Sequence, residues 1–556
     1  MTHADVLTLA DEYWAFHRST AQLWNIDRGD VEQVEHWEDL SRAGVSERTQ
    51  RLEGFALRGD SLLASDGERQ QTLAAAVAFS ARSMMATLPY ARDFTLVAGA
   101  ANLTTFLTVM TPGYALTSAD DGRRYISKMR GVPLFIEQLI DGLRGGVEDG
   151  RCVSARGVRR AIREIDDILA TRPAQDALAR QDAPSELSAE QASAFRTELI
   201  AAIDRDVRPA LATYQAALRD EVLPHGGSDD RPGVCHLAGG AADYEKLLWA
   251  ATSTKLTPEE VHEIGRHQLA LLDDEYALLG GHALAIGEPL AVRAQLRDDP
   301  QLCYHAADEI VADATAALAR ADVASSAWFA RLPRATCTSV AVTRGPLAYY
   351  TAPSPDGARP GTCYFNVGDP TLWTRASLEA TMFHESVPGH HLQLALAQEL
   401  DLHPVVGELE VESFGEGWGL YAERLADEMG LYSGPLQRLG MLTLDSLRAA
   451  RLVVDTGLHA FGWTRARGIE FLSGTTSLRH AAVEAEIDRY IAAPGQATSY
   501  MIGRLEIERI RRAASSRLGG GFSLPGFHDT VLGNGMMPLS QLERVVDSWV
   551  RLASRR

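Results

Sequence analysis

The sequence predicts a mostly α-helical protein with one small β element. Residues 62–88 are rich in Ala and Leu and place polar residues at helical intervals. Thr257 and Glu260 have the spacing of a capping box at the start of another helix. Residues 337–367 differ, because β-branched and aromatic residues alternate there with small ones, which predicts a small sheet or hairpin. From Ser377 onward the helical pattern returns.

The remaining elements follow from the same patterns in chain order. Polar residues predict a turn at 120–123, and a polar segment with two prolines at 172–190 predicts a surface connection. Helical patterns lie between these segments and beyond them, at 133–145, 154–170 and 191–221. Clusters of Gly, Pro and Asp predict a loop at 223–240 and a turn region at 351–360, while the three glycines at 519–521 predict a helix end. We expect an N-terminal half, 1–225, and a C-terminal half, 226–556, in one continuous unit.

Composition narrows the classes of function. The 556 residues include 54 Lys and Arg against 74 Asp and Glu, a net charge of −20, which disfavours a nucleic-acid partner. No run approaches the ~20 apolar residues of a membrane span. The five cysteines form no CxxC pair, which is typical of a reducing compartment, so we expect a cytoplasmic protein without a membrane partner.

The candidate chemistry begins with the string FHESVPGHHLQ, which contains His384, His390 and His391. In zinc peptidase helices of the HExxH type, two histidines one turn apart bind the metal, and the Glu after the first acts as general base. Glu385 follows His384 as that pattern requires. The position of the second histidine, however, is occupied by Pro388.

Pro388 and Gly389 predict a break or bulge just after His384, because proline cannot continue the helical hydrogen bonding. In a straight helix His391 would lie ~10 Å further along the axis than His384, and His390 would point ~120° away. If the break absorbs two residues, His390 becomes the second ligand. His391 is then the alternative ligand or a substrate contact.

A third ligand is expected from the segment ESFGEGWGLYAERLADE. At helical spacing its acidic residues form one stripe, interleaved with large apolar residues that predict burial: Glu412, Glu416, Glu423 and Asp427. Buried carboxylates need partners such as a metal or an imidazole NH group. We therefore predict Glu416 as the ligand and Glu412 or Glu423 as the acceptor that orients a ligand histidine.

Two further groups are candidates for substrate contacts. The strand at 361–367 could be a sheet edge along which a peptide lies, with Asn366 bonding its backbone and tyrosines lining the groove. Asp455 and His459 are an i, i+4 pair in which the acid could orient the imidazole, so His459 is a second candidate.

Four strings carry a resemblance to a known family: HESVPGHHLQ, ESFGEGWGLYAE, RLVVDTGLHAFGWTR and PGQATSYMIGRLEI. They resemble the signatures of the bacterial domain-of-unknown-function family DUF885, and the resemblance runs along nearly the whole chain. More remotely, HExxPGHHxQ and FGEGWGLYAE are similar to the metal motifs of gluzincin metallopeptidases such as thimet oligopeptidase and Taq-type carboxypeptidase. In gluzincins the glutamate ligand lies about two dozen residues after the second histidine; Glu416 lies 26 past His390 and 25 past His391.

The resemblance implies a helical peptidase body around a deep groove, with residues 1–225 forming one wall. It also implies a late-helix tyrosine that stabilises the oxyanion, for which Tyr500 is the candidate. Arg504, one turn further on, would share the face of Tyr500 and could bind a substrate carboxylate.

Together these observations predict a zinc-dependent hydrolase of amide bonds with one Zn²⁺ per chain. Water activated by the metal would attack the carbonyl, with Glu385 as general base, and the substrates would be short peptides. One alternative is a tailoring hydrolase that cleaves an amide or ester of a peptide-like specialised metabolite. An alternative of another class is a catalytically silent binding protein on the same fold.

Overall fold

The computed structural model describes residues 3–20, 35–64, 67–90, 97, 99, 102–111, 114–354 and 359–555. Helices dominate these residues, and one small sheet follows the middle of the chain. The predicted fold class is confirmed. No helix in the described residues is both long enough and apolar enough to cross a bilayer.

Twenty longer helices lie in the described residues. They are α1 (His3–Thr20), α2 (Arg42–Leu62), α3 (Glu68–Tyr90), α4 (Ala119–Glu148), α5 (Ala155–Ala170), α6 (Ala189–Ala202), α7 (Arg208–Ala217), α8 (Gly240–Thr252), α9 (Pro258–Leu284), α10 (Pro289–Asp298), α11 (Ala307–Ser325), α12 (Leu378–Glu385), α13 (His390–Glu399), α14 (Glu412–Glu428), α15 (Pro435–His459), α16 (Arg465–Thr475), α17 (His480–Ala492), α18 (Ser499–Leu518), α19 (Leu524–Leu532) and α20 (Leu539–Ala553). Short helical turns include Leu103–Thr105, Pro173–Gln175, Ala177–Arg180, Val234–His236, Pro404–Gly407 and Gly519–Gly521.

Local sequence signals set several of these boundaries. At the start of α9 the Thr257 side chain accepts a hydrogen bond from the Glu260 backbone NH, and the Glu260 side chain accepts one from the Thr257 backbone NH. The predicted capping box is therefore present. The predicted helix over 191–221 is also present, as α6 and α7 with π-helical turns at Ile203–Val207 and Leu218–Val222.

The prediction of a turn at 120–123 is wrong. These residues form the first turn of α4, where Ser118 and Asp121 make a capping box. The same polar, Asp-rich composition that favours turns also favours helix N-termini, and here it forms a helix cap instead of a turn. Pro133, which marked the expected start of the next helix, lies inside α4.

The small sheet contains β1 (Cys337–Val342), β2 (Ala348–Thr351) and β3 (Gly361–Asn366). β3 is the central strand; it pairs with β1 in parallel and with β2 antiparallel. The prediction of a small sheet is confirmed, but β3 cannot be the edge along which a substrate lies, because both of its edges are occupied. The predicted turn region at 351–360 includes residues 355–358, which lie outside the described residues.

Three apolar clusters meet at the helices that follow the sheet. The largest joins α4, α9, α15 and neighbouring helices, and it includes Leu218 and Tyr244 from the two sides of the expected boundary at 225. A second cluster contains Trp418 of α14 with parts of α13, α18 and α20. A third packs Phe365 of β3 against Phe383 of α12. Helices α12 to α14 therefore lie in well-packed surroundings. The division into two halves stays a prediction.

Candidate metal centre

Three side chains from separate helices converge at one point. They are His384 at the end of α12, His390 at the start of α13 and Glu416 in α14, and their candidate ligand atoms all lie within 4.8 Å of one another. Glu416 Oε2 is 3.3 Å from His384 Nε2 and 3.7 Å from His390 Nε2. Two ligand atoms at ~2.0–2.1 Å from a tetrahedral zinc are about 3.3–3.4 Å apart. The spacing therefore fits a zinc ion.

Glu416 Oε2 provides an independent test of this fit. The atom is buried and makes no aligned hydrogen bond within the described residues, although two imidazole nitrogens lie close to it. A buried carboxylate oxygen without a hydrogen-bond donor is costly unless another cation satisfies it. The residues present therefore fit a bound divalent metal, which His384, His390 and Glu416 would hold.

The helical structure is fully interrupted between the two histidines. Helix α12 ends at Glu385, and α13 begins five residues later at His390, so the link is more than a bulge within one helix. The backbone NH of His391 donates to the carbonyl of Ser386 at 3.0 Å and closes the link. This sharp change of direction brings the His390 ring to 4.7 Å from the His384 ring, nearly perpendicular to it.

Two contacts fix the link in place. A Cβ at Gly389 would lie 1.9 Å from the carbonyl oxygen of His384, so only glycine fits. The carbonyl of Pro388 accepts a 2.9 Å hydrogen bond from the indole NH of Trp418 in α14. The motif PGH therefore combines a required glycine with a connection to the helix that carries the third ligand.

Glu423 orients His384. Its Oε1 lies 2.9 Å from His384 Nδ1, and the Glu423 side chain is fully buried. A carboxylate on Nδ1 fixes the tautomer that leaves Nε2 free for the metal. Helix α14 approaches closely because position 419 is glycine: a Cβ there would lie 2.6 Å from His384 Cε1.

The electrostatics of the cluster favour a cation. Burial opposes the charged form of His384, but the nearby carboxylates of Glu416 and Glu423 outweigh it and raise its pKa to about 10. Burial likewise opposes ionisation of Glu416, yet the two histidines hold the pKa of this carboxyl well below its ordinary value. The carboxylates thus stabilise positive charge at the point where the ligand atoms converge.

Glu385 and Tyr500 flank the cluster. Glu385, the last residue of α12, is half-buried and acts electrostatically on both His384 and His390. The Tyr500 ring lies 6.5 Å from the His384 ring and is nearly parallel to it. Burial and the nearby charge of Glu416 raise the pKa of Tyr500, so the phenol stays protonated at neutral pH and can donate a hydrogen bond.

Helix α18 brings Tyr500 to the cluster through a close helix crossing. A Cβ at Gly417 of α14 would lie 2.6 Å from the backbone of Gly503, and one at Gly503 would lie 1.9 Å from the carbonyl of Ser413. Sequence reasoning missed these glycines and Gly419. Their signal was available, because glycine inside a helical pattern is destabilising unless a close approach requires it.

A match to the family described as "Bacterial protein of unknown function (DUF885)" spans residues 23–546. The chain belongs to the DUF885 family. No curated protein matches it.

Solved structures share the fold of this DUF885 chain. One is "the putative lipoprotein from Colwellia psychrerythraea", with a TM-score of 0.90 and 24% identity over 99% of both chains. Another is "a putative lipoprotein of unknown function from Shewanella oneidensis", with a TM-score of 0.74 and 18% identity over 97% of this chain and 99% of the other. At these identities the comparison establishes the fold.

His391 of the DUF885 chain does not join the metal cluster. Its Nδ1 lies 2.8 Å from the Tyr350 hydroxyl and its Nε2 lies 3.1 Å from the carbonyl of Ala335, and the residue is buried. Burial lowers its pKa to about 4, so the neutral ring accepts from Tyr350 and donates to Ala335. Both ring nitrogens are engaged, which contradicts the expectation of an alternative ligand or a substrate contact.

The expected pair of Asp455 and His459 does not form. His459 is fully buried; its Nδ1 accepts from the Val234 backbone at 3.2 Å and its Nε2 lies 3.0 Å from the Tyr490 carbonyl. Asp455 instead accepts from the Tyr244 hydroxyl at 2.6 Å. His459 is thus a packing residue rather than a substrate contact.

Three other predicted residues are engaged or placed elsewhere. Arg504 is buried and paired with Asp445 at 2.7 Å, so it is not available for a substrate carboxylate. The Asn366 side chain donates to the Gly345 carbonyl at 2.9 Å and closes a loop of the sheet. No hydrogen bond within the described residues joins Glu412 to a ligand histidine. Burial and neighbouring carboxylates raise the Glu412 pKa to about 8.

Proposed function

We propose that this protein is a zinc-dependent hydrolase of amide bonds that acts on short peptides. The convergence of His384, His390 and Glu416 carries the proposal. Catalytic zinc sites use three protein ligands and keep a further position open, whereas structural sites use four. In the described part of the chain the cluster contains three ligand side chains, which favours the catalytic kind.

The surrounding residues can perform the proton transfers of amide hydrolysis. Bound at the cluster, zinc would act as a Lewis acid and would lower the pKa of a water molecule to near neutral pH. Glu385 would take a proton from the attacking water and deliver it to the leaving nitrogen as the carbon–nitrogen bond breaks. The protonated phenol of Tyr500 would donate a hydrogen bond to the oxyanion that forms on the carbonyl. The more remote resemblance to gluzincins supports the same assignment.

The test combines metal analysis with a cleavage assay. The purified protein should carry about one zinc per chain and should cleave members of a mixed peptide library, with the products identified by mass spectrometry. Glu385→Gln should keep zinc but lose at least ~100-fold in rate, because the amide cannot accept the proton. The matched control is Glu428→Gln on α14, which removes the charge of an exposed carboxylate that pairs with Arg511 of α18. Undiminished cleavage by Glu385→Gln would remove this residue from the mechanism.

The location of the protein is a separate proposal. We propose a cytoplasmic location, which the five scattered cysteines support, since none of them forms a CxxC pair. The two similar solved structures carry the word lipoprotein in their descriptions, which favours a membrane-anchored alternative. Fractionation of native cells followed by immunodetection separates the two, since an anchored protein would sediment with the membranes.

A further inference from the structure

Arg448 on α15 lies beside the candidate centre. Its Cζ is 5.5 Å from the Tyr500 ring centroid, and its Nε is buried and has no hydrogen-bond acceptor among the described residues. In the described residues no carboxylate forms an ion pair with Arg448. Arg438 on the same helix shows the usual arrangement, because Asp427 holds it at 2.6 Å.

A second arginine adds to the positive charge at this position. Arg451 is buried, lies 4.8 Å from the Tyr500 ring centroid and has no acceptor for Nη1 within the described residues. Its other nitrogens use Glu486 at 2.8 Å, and Arg489 shares that carboxylate at 3.2 Å. Glu486 therefore serves two guanidinium groups. Tyr500 therefore lies near both the metal cluster and the guanidinium groups of Arg448 and Arg451.

We propose that Arg448, supported by Arg451, binds a carboxylate of the substrate and restricts the enzyme to amides that carry one near the scissile bond. This inference rests on the proposed hydrolase function. Guanidinium groups pair bidentately with carboxylates, and a partly buried guanidinium without a partner is unfavourable until an anion arrives. We assign the subsite to Arg448 and not to Arg504, because the guanidinium of Arg504 already pairs with Asp445.

The position of Arg448 sets the reach of the subsite. The two centroid distances, 5.5 Å to Tyr500 and 6.5 Å from Tyr500 to His384, keep the guanidinium within about 12 Å of the His384 ring. Three or four extended residues span that distance. The carboxylate is therefore either the α-carboxylate of a short peptide or an acidic side chain close to the cleaved bond.

The test measures binding without turnover. Glu385→Gln protein is incubated with random tripeptides that end either in a free carboxylate or in an amide, and retained peptides are counted by affinity-selection mass spectrometry. We expect at least ~10-fold enrichment of the free-acid form, as is typical when a charged hydrogen bond is gained. Adding Arg448→Gln should bring the ratio close to one, and Arg448→Lys should give an intermediate ratio. Adding Arg438→Gln, the matched control, should leave the ratio unchanged.

Two comparisons identify the source of the carboxylate. Enrichment of the free-acid form regardless of composition identifies the α-carboxylate. Enrichment of Asp- and Glu-containing peptides within the amide library identifies an acidic side chain. Either result supports the subsite if Arg448→Gln abolishes it while circular dichroism and zinc content stay unchanged.

The outcome separates this inference from the proposed function. Equal retention of all peptides, no retention of any peptide, or a preference that survives Arg448→Gln would overturn the subsite. If the wild-type protein cleaves nothing although binding depends on Arg448, the subsite stands and the hydrolase proposal fails. If the wild-type protein cleaves peptides equally whether or not they carry a carboxylate at the C-terminus or in a side chain, the hydrolase proposal stands and the subsite fails.

Discussion

At the residue scale, the contacts of each histidine decide its role more than its position in the motif does. His384 and His391 are both buried. A carboxylate contacts the ring of His384, whereas a tyrosine hydroxyl and a backbone carbonyl contact the ring of His391. The sequence predicted His384 and His390 from one local motif, and it predicted Glu416 from a helical stripe of acidic residues. It could not reveal the partners of His391, since Tyr350 and Ala335 lie 41 and 56 residues away along the chain.

The contact between Glu423 and His384 yields a prediction on metal affinity. Glu423→Gln keeps an acceptor for His384 Nδ1 but removes the charge that makes the imidazole a better ligand. We expect zinc affinity to fall ~10–100-fold, measured by competition with a chromogenic chelator. Glu428→Gln on the same helix should bind zinc as the wild type does. Unchanged affinity in Glu423→Gln would show that the contact does not support the ligand.

Asp455 yields a prediction on the pH dependence of stability. Burial raises its pKa to about 7, against the opposing effect of its hydrogen bonds from Tyr244 and Gly495. Between pH 4 and 7 the folded protein therefore holds a proton that the unfolded chain releases, so stability falls as pH rises through this range.

Asp455→Asn should reduce this loss, because an amide keeps the acceptor oxygen and does not ionise. We expect the variant to lose about 2–3 kcal/mol less than the wild type between pH 5 and pH 7.5. Urea unfolding at the two pH values measures the difference. Identical losses in both proteins would mean that Asp455 titrates normally in the fold.

At the element scale, the break between α12 and α13 does more than adjust spacing. The proline and glycine predicted an interruption, and the structure shows a separate link tied to α14 through Trp418. Packing of this kind depends on a helix 30 residues away, so it could not be inferred from the motif. Strand order in a sheet also depends on distant residues, and the local alternation of side chains does not determine it. For this reason β3 was expected at an edge, although it is the central strand.

The break predicts different outcomes for the two adjacent histidines. His390→Ala should lose zinc, because it removes a ligand. His391→Ala should keep zinc and lose about 1–3 kcal/mol of stability, since Tyr350 and the Ala335 carbonyl lose a buried partner. Zinc content by mass spectrometry and urea unfolding measure the two effects. Zinc loss in His391→Ala alone would make His391 the ligand and contradict the assigned break geometry.

Gly389 gives a second prediction for this element. Gly389→Ala forces a methyl group against the His384 carbonyl at 1.9 Å, and backbone cannot yield as a flexible side chain would. We expect reduced zinc affinity and several kcal/mol of destabilisation. Gly281→Ala is the matched control, because it adds a methyl group inside α9 where, apart from the nearby backbone of the helix itself, no described atom lies within 4 Å. That control should be neutral or slightly stabilising; a neutral Gly389→Ala would contradict the tight link.

At the scale of the whole molecule, the candidate centre joins elements that are otherwise held by different apolar clusters. Phe383, next to the first ligand, packs with the sheet, whereas Trp418, next to the third, packs with the C-terminal helices. Hydrophobic periodicity predicted the helices that form these clusters. It could not predict their meeting, which depends on close approaches at Gly417, Gly419 and Gly503.

This arrangement predicts how metal removal affects stability. The apo protein should stay folded, because extensive apolar cores surround the site and Glu416 and Glu423 still pair with His384. Zinc at 100 times its Kd should stabilise the fold by about 2.7 kcal/mol. In a chain of 556 residues that corresponds to a rise in Tm of a few degrees.

Differential scanning calorimetry with chelator and then with added zinc measures the shift, and His384→Ala, which lacks a ligand, should show none. Unfolding on chelation at room temperature would instead make the metal a structural requirement, and an unchanged Tm would argue that the three side chains do not hold zinc.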